Sequence, residues 1–148
     1  MITRRDITVA AISMIVAVVG VALAQSTGKP VMHSCFFNWA DLKVVPTKVG
    51  FSRSVFDAPT PTLARFECHI TTLNPGQSPH LPHHHPDEEI MILKEGTLAA
   101  IQGDQTNIVQ AGGIIFEASN EIHGLKNIGT NPATYFVFKF TPHDLVVK

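Results

Sequence analysis

The reading of this chain turns on residues 76–96, GQSPHLPHHHPDEEIMILKEG, which begin at Gly76 and end at Gly96. Four of the eight histidines fall here, between His80 and His85. His83 and His85 are two positions apart, so in extended backbone their side chains share a face, and His84 takes the other. Glu89 lies at a further even offset and joins that face if the turn at Pro86-Asp87 keeps the parity. Imidazole nitrogens and a carboxylate converging on one side of a strand suit divalent manganese, iron, nickel or zinc rather than a soft thiophilic metal. Three ligands from one short run do not complete a coordination shell, so a fourth is expected from another strand. His123 qualifies, since it opens a run in which His123, Leu125 and Asn127 face one way and Gly124 and Lys126 the other. His84 is expected in solvent. His80, in the loop before Pro82, is read as solvated or at the mouth of a pocket. Asp87 and Glu88 read as a solvated turn, and Glu88 replaces Glu89 only if a bulge shifts the parity.

Around this stretch the chain is punctuated like a β protein. Ala64 to Leu73 alternates Phe66, Cys68 and Ile70 against Arg65, Glu67, His69 and Thr71, the pattern of a half-buried strand. Further strands are expected at Glu89–Leu93, Thr97–Gln102, Thr106–Val109, Ile114–Glu117, His123–Asn127 and Thr134–Phe140, with Gly, Pro, Asn and Asp between them. That spacing predicts an all-β antiparallel sandwich or barrel. Upstream, Phe36 to Leu42 allows one short helical turn at most. Ile90 to Leu93 is apolar without alternation, so both faces of its strand need cover, one from the barrel and one from the N-terminal segment or a second copy. With a sheet edge to protect as well, this predicts a homodimer packed through the face opposite the histidines. Phe136, Phe138 and Phe140 form an aromatic stripe expected in the core. Phe66, Met91 and Phe138 are expected to line a pocket, which favours a small, largely uncharged substrate. Arg53 and Arg65 are the only arginines after residue 24, and no cationic clamp is foreseen.

The chain has 148 residues, the size of one domain. Charged residues make up 16% and the formal net charge is −1, which gives no footprint for nucleic acid or an anionic membrane surface. Two cysteines exclude a disulfide-stapled miniprotein and a cysteine-rich zinc module. Cys35 and Cys68 read either as a disulfide or as two small buried thiols. At the N-terminus, Arg4 and Arg5 precede the apolar run 7–24, which exits through Ala22-Leu23-Ala24 into a polar stretch. This is the pattern of an export signal cleaved after Ala24, giving a periplasmic or secreted protein; an uncleaved anchor, in contact with the membrane, is the alternative. Thr3-Arg4-Arg5-Asp6-Ile7 is also compatible with folded export by a twin-arginine route. The expected division is 1–24 signal, 25–50 a segment covering or swapping onto the barrel, and 51–148 the barrel itself.

Two spaced motifs make the chain resemble the cupin superfamily, and its small single-domain members in particular. Gly76, His83-His84-His85, Glu89 and Gly96 follow the first cupin motif with one extra residue before the first histidine. Gly112, His123 and Asn127 follow the second, with Ala118 and Asn120 standing where the family usually has Pro and Gly. Asn tolerates the left-handed backbone of a turn glycine, so Asn120 is a mild departure. The resemblance covers about Phe51 to Phe140. It implies a jelly-roll β-barrel and a divalent metal held by His83, His85, Glu89 and His123. It further implies either an enzyme of dioxygenase, isomerase or lyase type or a non-catalytic, metal-loaded binding or storage module. In the enzyme, Glu89 is expected to double as a general base.

Overall fold

The alternating runs form strands because each has one apolar face to bury, and the turn residues between them send the chain back on itself. The computed structural model describes residues 28–145, and residues from Val31 onward belong to one compact unit. Nine strands follow in order: β1 Val45–Thr47, β2 Gly50–Ala58, β3 Leu63–Leu73, β4 Glu88–Glu95, β5 Thr97–Gln102, β6 Gln105–Gln110, β7 Ile114–Glu117, β8 His123–Asn127 and β9 Ala133–Pro142. Every pairing is antiparallel. One sheet has the order β1-β2-β3-β9-β4-β7 and the other β6-β5-β8, the two layers of a jelly-roll sandwich. The expected all-β class is observed, and β5, β7 and β8 keep the bounds read from the sequence. The hydrogen-bonded sheet begins at Val45, within the 25–50 segment. The single expected helical turn is the 3-10 turn Trp39–Asp41. Among the described residues no helix is long and apolar enough to cross a membrane. The export signal expected at 1–24 lies outside the described residues.

The apolar core between the sheets is built from Leu73, Met91, Leu93, Leu98, Leu125 and Val137, with smaller residues between them. It occupies one end of the sandwich. Asn127 braces that end. It is fully buried, and its Nδ2 donates to the carbonyls of Leu73 and Asn131 at 2.9 Å each, while its Oδ1 accepts from Gly129 N at 3.0 Å. Gly96, in the β4–β5 turn, sits at φ +94 with the start of β9 pressed against it. A Cβ there would lie 2.6 Å from the Ala133 Cα, so that position admits only glycine without a backbone shift.

The expectation for β3 is inverted by the structure. Phe66, Cys68 and Ile70 point outward, and Glu67, His69 and Thr71 point between the sheets. The outer apolar face is covered by the segment Cys35–Leu42, which shares a cavity with Cys68, Ile70, Phe136 and Phe138. Phe37 packs tilted against Phe56 at 5.5 Å between ring centroids, and Phe56 against Phe66 at 4.8 Å. The physical reason is that the far end of the interior is polar, so the strand's polar face is the one that fits inside. The Phe136–Phe140 stripe therefore lies on the outer face of the sheet, not in the core between sheets. Of the three expected pocket residues only Met91 is in the pocket. Cys35 is exposed, Cys68 is buried, and both thiols are free.

Candidate metal centre

Strand register assembles the site as one level of the sandwich. Across the large sheet, Glu67 pairs with Lys139, Lys139 with Glu89, and Glu89 with Glu117. Across the small sheet, Gln102 pairs with His123, and His123 makes an isolated bridge with His83. Gln102 Nε2 donates to Glu117 Oε2 at 3.0 Å and joins the two sheets. A belt of polar side chains thus encircles the interior, and the next level inward (Val137, Met91, Ile115) is apolar.

The three histidines reach this belt by separate means. His83 and His123 exchange backbone hydrogen bonds of 3.0 and 2.9 Å, so the loop before β4 is fastened to the start of β8. The β7–β8 turn clasps the same loop: Asn120 N donates to His85 O at 2.8 Å, and Ser119 Oγ to Pro86 O at 2.7 Å. Asn120 stands at φ 62, the left-handed turn position anticipated for it. His123 Nδ1 donates to Glu121 O at 2.9 Å, and His85 Nδ1 to Asp87 O at 3.1 Å. Each of these contacts fixes a tautomer and leaves the Nε2 lone pair directed inward, as a metal-ligating imidazole requires.

Ligand nitrogens of His83, His85 and His123 lie within 4.8 Å of one another. His83 Nδ1 and His123 Nε2 are buried with no hydrogen-bond partner. Orphaned buried nitrogens are costly unless something else satisfies them, and a metal ion does. His83 is pushed down to about 4, by burial first and then by His80, His123, His85 and Lys139, so it is neutral at physiological pH, the form that coordinates. Glu89 is buried, with Oε2 at 3.2 Å from His85 Nε2 and 3.1 Å from Lys139 Nζ. Lys139 Nζ is also 3.3 Å from His85 Nε2, so two donor atoms expected for the metal already share a cation. The donor set fits a divalent transition metal: His83, His85 and His123 would hold it, and Glu89, paired with Lys139, lies beside His85 but outside their cluster. His84 is exposed, as its parity requires.

Three residues of the site, Lys139, Glu117 and His69, escaped the sequence reading. Lys139 places a cation in the cavity wall that the sequence reading did not foresee. It sits in the Phe136–Phe140 stripe at the opposite parity and faces the cavity. Glu117 is 2% exposed and its Oε1 has no partner. Burial raises its pKa above the usual carboxylate range, with the Gln102 bond and His123 opposing and Glu89 adding to the rise. His69 lines the same cavity, its Nδ1 3.0 Å from Glu67 Oε1, and Arg65 holds Glu67 and Asp57. Asp87 is not a solvated turn residue, since its carboxylate accepts from Thr141 Oγ1 and its carbonyl holds His85. His80 is exposed and lines the cavity mouth, its ring 4.0 Å from that of His83. The cavity measures about 270 Å³, near the lower end of small-molecule sites.

Residues 69–139 match the family described as the cupin domain. Among curated proteins none matches the chain in sequence. Solved structures share the fold. An RmlC-like cupin from Shewanella frigidimarina superposes with a TM-score of 0.61 at 12% identity, over 78% of this chain and 97% of its own. The polyketide cyclase RemF from Streptomyces resistomycificus gives 0.60 at 22% identity, over 73% and 80%. An oxalate decarboxylase variant from B. subtilis gives 0.62 at 17% identity, over 80% of this chain but 32% of its own.

Proposed function

Since the chain belongs to the cupin superfamily through its domain at residues 69–139, we propose that it is a metal-dependent enzyme acting on a small organic molecule. One observation carries this reading: the unpartnered buried nitrogens of His83 and His123 converge with His85 beside an open cavity. When bound, a divalent metal (manganese, iron, nickel or zinc) supplies Lewis-acid or oxygen-activating chemistry of dioxygenase, isomerase or lyase type. The protein's own part is to bind and orient. Met91, Leu125 and Val137 form an apolar wall that excludes water from one side of the cavity. Glu89, the fourth ligand in this reading, also serves as general base. A non-catalytic small-molecule binding or storage module is the alternative, and a coordination position left open toward the cavity is what favours the enzyme. Two of the similar structures, the cyclase and the decarboxylase, are named as enzymes, in keeping with small-molecule chemistry.

Elemental analysis of protein expressed with several metals available tests the site. About one metal per chain is expected, with large losses in His83→Ala, His85→Ala and His123→Ala and little in His84→Ala. A folded protein that stays metal-free under every condition overturns the reading. We also propose a homodimer, and export to the periplasm or the outside after cleavage at Ala24. A mature chain beginning at Gln25 supports that route, and retention of precursor on changing Arg4 and Arg5 to lysine supports folded export.

A further inference from the structure

We propose that the substrate of this site carries an anionic oxygen group, a carboxylate or an enolate, and that Lys139 binds it. The inference deepens the metal reading and rests on it. Lys139 lies in the cavity wall with its side chain 21% exposed. Its ammonium has three donors, and two contacts use them: Glu89 Oε2 at 3.1 Å and His85 Nε2 at 3.3 Å. The contact with His85 is incompatible with coordination. With the Nδ1 hydrogen of His85 donated to Asp87 O, Nε2 offers a single lone pair, and Lys139 donates both to it and to Glu89 Oε2, which lies 3.2 Å from the same nitrogen. That lone pair goes either to the lysine or to a metal, never to both. Loading the site therefore frees Lys139 from His85, and the charge of Glu89 is then shared with the metal. A cation with released donors is left on the wall of a small cavity.

The neighbouring carboxylates do not neutralise it. Glu67 is already engaged by Arg65 and His69, and Glu117 lies one strand beyond Glu89 and accepts from Gln102. Among the remaining groups of the wall, His69, Thr71, His80 and Tyr135 are suited to contacting oxygen atoms, while Pro79, Met91, Leu125 and Val137 offer apolar contact. A loaded cavity with excess positive charge and an apolar flank fits a small organic anion. This differs from the largely uncharged substrate expected from the sequence.

The test uses propionate as probe and propionamide as its uncharged counterpart, titrated calorimetrically into the metal-loaded protein with metal content measured in parallel. Propionate is expected to bind better than propionamide. Lys139→Gln should weaken propionate roughly ten-fold or more while keeping its metal, since a hydrogen bond to a charged group is lost. Lys139→Arg, which keeps the cation, should stay within a few-fold of wild type. Equal propionate binding by wild type and Lys139→Gln, both metal-loaded, overturns the inference and leaves the metal reading intact. A wild-type protein that takes up no metal overturns both.

Discussion

The coordination proposed for His83 requires a neutral imidazole, and its surroundings hold it so. Its folded pKa, about 4, lies below its ordinary 6.5, so the unfolded chain takes the proton first as pH falls. The stability of the metal-free protein is therefore expected to be flat above about pH 6.5 and to drain between there and about pH 4. Thermal melts across that range check this, and His83→Gln should flatten the slope. Glu117 carries the opposite sign: a raised carboxylate loses stability as pH climbs above its ordinary value. Glu117→Gln should therefore leave the metal-free protein as stable or more so at neutral pH, while Glu117→Ala, which removes one of the two acceptors of Gln102, should cost about 1 kcal/mol in urea unfolding. Residues of this kind divide cleanly by legibility. The three histidines and Glu89 could be read because parity along a strand is a local property. Glu117, Lys139 and His69 could not, because their facing depends on which strands pair and in what register.

Strand β3 shows what a period of two leaves open. Alternation separates two faces but does not say which is interior, and the apolar one was taken to line the pocket. Here it packs under Phe37 and its neighbours, because the interior at that level is the polar belt. Trp39 belongs to the same cover. Its ring lies 6.3 Å from Phe136, with Arg53 Cζ at 4.6 Å and Lys94 Nζ at 4.8 Å from its centroid. Trp39→Ala should destabilise by about 2 kcal/mol, from lost cation–π contact and half-buried area, with metal content unchanged. Asn127 makes the sharper case. Asn127→Asp replaces an amide donor facing two carbonyls with an acceptor, and should cost about 3 kcal/mol or more in urea unfolding. The second motif therefore ends in a brace, not in a reactive group.

Across the whole molecule, the sheet of six strands has two outer regions with different fates. The β3–β9 region is covered by the chain's own segment, Cys35–Leu42. The β4–β7 region is not. Ile90 faces Phe116 and Ile92 faces Ile114 across the strands, and Phe116 is 53% exposed. Met91 and Leu93 are buried on the other side, as the unbroken apolar run required. Light scattering at micromolar concentration is expected to give twice the mass of one chain, and Phe116→Glu to return it to the monomer. A monomeric wild type would mean that this apolar face is stable in water.

The bridge between His83 and His123 has a kinetic consequence. Each residue's amide is donated to the other's carbonyl, so neither can meet solvent unless both let go. In the metal-free protein, deuterium should enter these two amides at a common rate, through one opening event, and more slowly than at His84. Two of the proposed ligand positions are thus tied together before any ion arrives. Capture then needs no slow ordering of the loop, and its speed should follow ion diffusion and dehydration.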